Sequence, residues 1–165
     1  MRLPRIRPVE PPAGDARMLP PPWEPPSLSA LARWIPAAPR HPLTRTAAYA
    51  WAAPVTVVGL LLGLLSGTRP RRRDGVLVFA GARGPAGLVL RARGFRATAL
   101  GHAVIATGEP DDELMAHELV HVRHAERLGI FSAVLYGLLY PLYGYARHPM
   151  ERAARSAARR LDGAA

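Results

Sequence analysis

Five consecutive residues of the chain have the types and spacing of a metal-binding helix. They are His117-Glu118-Leu119-Val120-His121, an H-E-x-x-H motif. In an α-helix the two histidines lie one turn apart and about 40° apart around the axis, so their imidazoles can converge on one ion. Glu118 lies at the edge of that face, where its carboxylate can take a proton from a metal-bound water. The spacing therefore predicts His117 and His121 as metal ligands and Glu118 as a general base.

A catalytic zinc ion takes three protein ligands and leaves one position for water. The chain contains no cysteine, so any metal must be held by histidine and carboxylate. His124 lies on the same helix face, but it is about 10.5 Å further along the axis than His117. Ligand atoms around one tetrahedral zinc ion are only about 3–3.5 Å apart. We therefore expect His124 to lie in the core or to support a ligand.

The third ligand is predicted to come from the start of the last helix. Glu151 lies in its first turn, 30 residues after His121. Ala154 and Ala158 follow at helical spacing and form a small-residue face that would allow a close approach to the motif helix. An ordinary first-turn acid that interacts with the helix dipole is the alternative role of Glu151. We predict Glu151 as the third ligand, with His148 as the second candidate.

The motif, the helix after it and a glutamate that opens the next helix together resemble the gluzincin branch of zinc metallopeptidases, particularly its minimal single-domain members. They also resemble small uncharacterised bacterial proteins in which His-Glu-Leu-x-His is followed by aromatic-rich apolar residues and Pro-x-Glu-x-x-Ala. The resemblance covers about residues 75–160, although the second ligand helix is shorter here than in large gluzincins. It implies a peptidase with a zinc ion on His117, His121 and Glu151, and Glu118 as the general base. It also implies a substrate-binding edge strand before the motif helix, here residues 102–107.

Four tyrosines lie between the two halves of the predicted site. Such a hydroxyl can stabilise the oxyanion that forms when water attacks an amide carbonyl. Core packing and a place in a membrane interface are the alternative roles of these side chains. The sequence does not single out one of them; they are Tyr136, Tyr140, Tyr143 and Tyr145.

The elements that must position the motif follow from capping residues and periodicity. Asp111 and Asp112 mark the start of the motif helix and Gly129 marks its end. Pro149 opens the final helix. Four short apolar runs upstream predict strands, at residues 76–79, 88–90, 95–100 and 102–107. The predicted fold class is α+β: a small, mostly antiparallel sheet, then the H-E-x-x-H helix and two further helices, with an apolar helix on the N-terminal side.

That apolar helix lies at residues 47–67, which carry no charge. Its length is sufficient for a bilayer core of about 30 Å. A helix buried in a soluble core is the alternative, but a chain of this size seldom has enough protein to surround one completely. We therefore predict membrane association. Arginines are more numerous after the helix than before it, which predicts the inner membrane with the C-terminal part in the cytoplasm; a soluble cytoplasmic protein is the alternative.

A second uncharged segment, residues 130–145, is interrupted by Gly137, Pro141 and Gly144. If it crossed a bilayer, His117 and Glu151 would lie on opposite sides and could not share a metal ion. Sixteen residues are also short for a span. We expect this segment to be buried or interfacial and to pack against the apolar helix.

The charge and composition bear on nucleic-acid binding and on how the chain is divided. The 22 basic residues are all arginine and the net charge is +10, but the arginines do not cluster on a recognisable binding element, so no specific nucleic-acid binding is expected. Twelve of the 18 prolines lie in the first 42 residues. We predict a largely disordered Pro/Arg-rich arm with a short helix at residues 27–35. The predicted divisions are this arm (1–42), the apolar helix (43–70) and a zincin-like metal-binding domain (71–165).

Together these observations predict a membrane-associated, Zn²⁺-dependent metallohydrolase, with a peptidase as the first choice. The expected partners are a peptide or protein substrate and the membrane. The alternative is a non-catalytic zinc-bearing membrane scaffold or interaction protein.

Overall fold

The computed structural model of the chain describes residues 25–162, so most of the predicted arm lies outside the described residues. The helices of the described part are α1 (Pro26–Leu31), α2 (Pro42–Leu65), α3 (Pro85–Ala92), α4 (Asp112–Leu128), α5 (Ile130–Arg147) and α6 (Pro149–Asp162). Its strands are β1 (Arg71–Arg73), β2 (Val76–Phe79), β3 (Ala97–Leu100) and β4 (Ala103–Ala106). The predicted α+β class is confirmed. A short helix was expected at residues 27–35; α1 begins at Pro26 but ends at Leu31.

The four strands form one sheet in the order β1-β2-β4-β3. Two antiparallel pairs, β1 with β2 and β3 with β4, are joined by the parallel pair of β2 and β4, in which Val78 lies opposite Val104. A two-residue turn connects Leu100 to Ala103. Gly101 occupies its first position with a φ of +57°, a conformation that favours glycine. The expectation of a small, mostly antiparallel sheet is therefore confirmed.

One predicted strand is wrong. Residues 88–90 belong to helix α3, which begins at Pro85, exposes Leu88 and Val89 and buries Leu90. A run of three apolar residues does not distinguish strand from helix by periodicity, and a proline at the first helical position favours the helix. The fourth strand of the sheet is β1, which consists of three arginines and carries no apolar signal of a strand.

The sheet separates two apolar layers because alternate residues point to opposite faces. On one face, β2 and β4 pack against Met115 and Val122 of α4. On the other face, Phe79 and Ile105 pack with Leu60 of α2 and Leu90 of α3. Helix α6 covers the far side of α4. The motif helix is therefore held between the sheet and α6.

Helix α2 docks against the sheet through a stripe of small residues. Gly59 lies against the backbone of Leu100, and Gly63 lies so close to the ring of Phe79 that a β-carbon there would overlap it. Ala52 on the same stripe is fully buried. The opposite face of α2 is apolar and exposed; its large residues include Val57, Val58, Leu61, Leu64 and Leu65.

By length and composition α2 could cross a membrane, although the core helix of a soluble protein passes the same test. Only 22% of its most apolar stretch is buried. Helices α4 and α5 pass the test only when taken together, and the chain bends by 117° between them. Helix α5 turns back against α4, α6 and α2 and leaves several apolar side chains exposed.

The close contact of α2 with the sheet gives a direct test. Substituting Gly63→Ala should lower the free energy of unfolding by about 1–3 kcal/mol relative to Gly137→Ala, because overpacking a core carries a cost of this size. Gly137 is a matched control, since it lies in helix α5 with nothing within 4 Å of the position of its β-carbon. Both substitutions gain the same helix propensity, so the difference isolates the packing. Urea unfolding measures it; equal stabilities would contradict the docked position of α2.

Candidate metal centre

Three side chains from two helices converge between α4 and α6. The Nε2 atoms of His117 and His121 are 3.3 Å apart. The carboxylate of Glu151 faces both imidazoles, with Oε2 at 3.1 Å from His117 Nε2 and Oε1 at 3.2 Å from His121 Nε2. Bonds of about 2.0–2.1 Å in a tetrahedron put ligand atoms about 3.3–3.4 Å apart. The spacing of these groups is therefore close to that of ligands around one zinc ion.

Local sequence signals account for this convergence. The side chain of Asp111 accepts a hydrogen bond from the backbone N–H of Leu114 at 2.8 Å and so caps the start of α4, as predicted. Helix α6 begins at Pro149, which places Glu151 in its first turn. Ala153 and Ala154 are fully buried against Val120 of α4. Because these side chains are small, the carboxylate in the first turn of α6 reaches the histidine face of α4.

The electrostatics of the cluster favour an ionised Glu151. Burial acts to raise the pKa of Glu151, but the imidazoles of His121 and His117 outweigh it and hold this pKa well below its ordinary value. Burial acts to lower the pKa of His121, and the carboxylate of Glu151 outweighs it and raises this pKa. A proton therefore competes with a metal ion for His121, as it does at metal sites in general.

The donor set fits zinc. Two imidazoles and one carboxylate form one of the ligand sets of catalytic zinc sites. The side chain of Glu151 is 4% exposed, and those of His117 and His121 are 12% and 13% exposed. Among the described residues, these three side chains form the group of histidines and acids that lie close enough together to share one metal ion. The partial exposure of the histidines would leave room for a water molecule or a substrate atom beside an ion held there.

Glu118 lies next to this cluster in a different environment. Its side chain is buried, and the backbone N–H of Ala99 in β3 donates a hydrogen bond to it. Its Oε2 atom is buried and receives no hydrogen bond from the described residues. Burial raises the pKa of Glu118, although the nearby imidazoles of His117 and His121 oppose this. A carboxylate with a raised pKa and one free oxygen is suited to accept and release a proton.

The strand nearest to Glu118 is not the one predicted to bind substrate. Residues 102–107 contain β4, which pairs with β2 on one side and β3 on the other. Its backbone groups are therefore already used within the sheet. The edge strand beside the motif helix is β3, where Ala99 contacts Glu118. The sequence predicted that the last strand before the helix, β4, would be the edge strand. The structure places β4 inside the sheet, because it pairs with β3 in a hairpin and with β2 on its other side.

The two other candidate histidines lie outside the convergence. His124 is fully buried, its Nε2 atom is 3.1 Å from the carbonyl oxygen of Trp34, and burial lowers its pKa to about 4. The expectation of a core histidine is confirmed. The Nε2 atom of His148 is 3.2 Å from the carbonyl oxygen of Tyr136, and the two rings stack at 4.1 Å. Of the two candidates for the third ligand, the structure brings Glu151 to the histidines.

Sequence reasoning missed the specific contacts that hold Glu151. The hydroxyl of Tyr136 donates a hydrogen bond to Glu151 Oε1 at 2.9 Å, and Tyr145 also contacts this carboxylate. Arg155 lies 4.0 Å from Glu151 Oε2. The spacing of Glu151 and Arg155, one turn apart on a helix, was a signal for their contact. No sequence signal selected Tyr136, because its approach depends on α5 turning back across α4.

Comparisons of the chain with models of protein families, with curated proteins and with solved structures find no match. The gluzincin resemblance therefore stands on the motif and its spacing. The chemistry of the site has to be argued from its own geometry.

Proposed function

We propose that the chain is a membrane-associated, zinc-dependent hydrolase and that its substrate is a peptide or protein. The observation that carries the proposal is the convergence of His117, His121 and Glu151, whose nitrogen and oxygen atoms approach one another to 3.1–3.3 Å. The buried Glu118 beside them supplies the group that hydrolysis requires in addition to a metal ion. The gluzincin resemblance supports the same assignment.

Each residue then has a defined part in amide hydrolysis. Zinc, when bound to the two histidines and Glu151, supplies Lewis acidity that polarises a carbonyl group and acidifies water. Glu118 accepts a proton from the attacking water at its free Oε2 and delivers it to the leaving amine. The hydroxyl of Tyr136 holds the carboxylate of Glu151 in the orientation that faces both imidazoles. β3 is an edge strand of the sheet among the described residues, and the outer backbone groups that it keeps besides the Ala99 N–H can bind an extended peptide beside Glu118.

The general base gives the sharpest test of this function. Glu118→Gln should retain zinc and lose peptide cleavage by about 10²-fold or more, because it keeps the shape of the side chain and removes its basicity. Glu113→Gln is the matched control, since Glu113 is an exposed acid on the same helix. Zinc content by mass spectrometry and cleavage of a mixed peptide library measure the two properties.

Equal cleavage by the wild type and Glu118→Gln would contradict the role of Glu118. Zinc bound by the wild type, with no cleavage of the library, would favour the non-catalytic scaffold over the peptidase. A loss of cleavage in Glu113→Gln as large as that in Glu118→Gln would show that the effect is not specific to the site.

We propose that the membrane contact is the outer apolar face of α2. Two hydrogen bonds mark the ends of the stretch of α2 that is packed on the rest of the fold. At one end the hydroxyl of Tyr49 donates to the carbonyl oxygen of Gly75, and at the other the backbone N–H of Arg83 donates to the carbonyl oxygen of Ser66. A spanning α2 that kept this packing would carry His102, which bonds to Thr56 in the middle of α2, and its partner Glu126 to the depth of the hydrocarbon core, where ionisable side chains are costly. Helix α2 therefore lies along the membrane with its outer face in one leaflet. The net charge of +10 favours the cytoplasmic leaflet of the inner membrane, whose anionic lipids attract basic proteins, with the metal centre in the cytoplasm.

Vesicle flotation tests this contact. The wild type should float with phosphatidylcholine vesicles, and the variant Leu61→Gln/Leu64→Gln should float at least about tenfold less, because each leucine buries apolar area worth roughly 1.5–3 kcal/mol in the bilayer. Both leucines are more than half exposed in the fold, so the variant should keep its zinc content and its thermal unfolding temperature. Equal flotation of a folded variant would contradict the proposed face.

A further inference from the structure

A cavity of about 270 Å³ lies away from the metal centre, where α4 meets the first turns of α2. Its walls come from four parts of the fold: the segment before α2, α2 itself, β1 with the turn after it, and α4. Three arginines line it, namely Arg45, Arg72 and Arg123. Arg123 lies about 200° around α4 from His121, so the cavity and the metal centre are on opposite sides of that helix.

The positive charge of this cavity is largely uncompensated. Its acidic residue, Asp74, lies 3.5 Å from Arg73 and is already paired. Arg123 donates to Glu126 at 2.6 Å. Among the described residues, no carboxylate lies within ion-pair distance of Arg45 or Arg72. Within the described part of the chain, the cavity therefore carries about two unpaired positive charges.

The pattern of β1 singles out its middle arginine. Arg71 and Arg73 lie on one face of the strand and form ion pairs with Glu109 and Asp112. Arg72 points to the opposite face of the sheet, where it meets the cavity. Two of three successive arginines are thus neutralised within the fold, and the third is left facing a space that it shares with two more arginines.

The wall of the cavity is fixed by a buried polar cluster. Glu126, whose side chain is 1% exposed, contacts both Arg123 and His102. The ring of Tyr49 stacks on His102 at 3.7 Å, and its hydroxyl donates to the carbonyl oxygen of Gly75. These contacts hold the guanidinium of Arg123 in place before any ligand arrives, which reduces the entropy cost of binding.

We propose that this cavity binds a phosphate group. Guanidinium groups match phosphate oxygens with paired, charge-assisted hydrogen bonds. The positive end of the α2 dipole lies at the same place and adds to the attraction. Water occupies about 30 Å³ per molecule, so the cavity accommodates a phosphate group with some of its water. Free phosphate and the phosphate of an anionic lipid share this chemistry.

Free phosphate is the source that the fold favours, because Arg45 lies seven residues before Ala52 on the docked side of α2 and so faces away from the apolar face proposed to contact the membrane. The phosphate site itself does not depend on the metal centre or on the proposed hydrolase activity. Binding of phosphate at the metal centre is distinguishable from binding in the cavity, because substitutions in the cavity would leave it unchanged.

The test compares two double variants of the full chain with the wild type. Arg45→Gln/Arg72→Gln removes two charges from the cavity, and Arg83→Gln/Arg93→Gln removes two exposed charges around α3 as a matched control. Inorganic phosphate is titrated into each by calorimetry at constant ionic strength. Saturable binding is expected for the wild type and the control, with at least about tenfold weaker binding in the cavity variant, because each lost charge-assisted hydrogen bond is worth tenfold or more. If a double variant does not fold, the single variants Arg72→Gln and Arg83→Gln are compared instead.

A second arm identifies the source of the phosphate. Vesicles of phosphatidylcholine alone are compared with vesicles that also contain phosphatidylglycerol. Stronger binding to the anionic vesicles, lost in the cavity variant and kept in the control, assigns the site to lipid. Saturable phosphate binding with no gain from phosphatidylglycerol assigns it to free phosphate. Non-saturable binding, full-strength binding in the cavity variant, or an equal loss in the control would overturn the site.

Discussion

The arrangement of the candidate metal centre depends on how closely α6 approaches α4. Two histidines on one helix face supply only two ligands, and a straight helix cannot supply a third at the required distance. Ala153 and Ala154, packed on Val120, allow the axes of the two helices to come close. That approach brings the carboxylate of Glu151 to within 3.2 Å of both imidazoles. A larger side chain at either alanine would move the carboxylate away from the histidines.

The same physical principle operates on the other side of the fold. Helix α2 presents a narrow stripe of small residues to the sheet, and its large apolar side chains are left on the outside. The sheet and α6 thus pack on α4 from two sides, while α2 carries an apolar surface that the described part of the chain does not cover. The candidate metal centre and the proposed membrane contact lie in different layers of the same fold. This separation allows one of them to be altered without the other.

Much of the centre could be predicted from the sequence because its signals are local. The capping residue Asp111, the stop at Gly129 and Pro149 at the start of α6 defined the helices to within a residue or two. The choice of Glu151 over His148 followed from the small residues after it. These signals act within one or two helical turns, so they are legible in a single chain.

What could not be predicted depends on long-range order. The run at residues 88–90 is too short to show a period, and a strand of three arginines carries no strand signal, so α3 and β1 were both missed. The parallel pairing of β2 with β4 puts β4 inside the sheet, which moved the free edge to β3. Tyr136 reaches Glu151 because α5 reverses direction over the motif helix. Strand order and helix reversal are decided by packing between distant segments, which sequence spacing does not encode.

The central claim is that His117, His121 and Glu151 together hold one zinc ion. Equilibrium dialysis against zinc, followed by elemental analysis, tests it most directly in the wild type and in Glu151→Ala. We expect one zinc ion per chain in the wild type and an affinity at least about tenfold lower in the variant, because a third ligand is lost. A wild-type protein without bound zinc, or a Glu151→Ala variant with unchanged affinity, would contradict it.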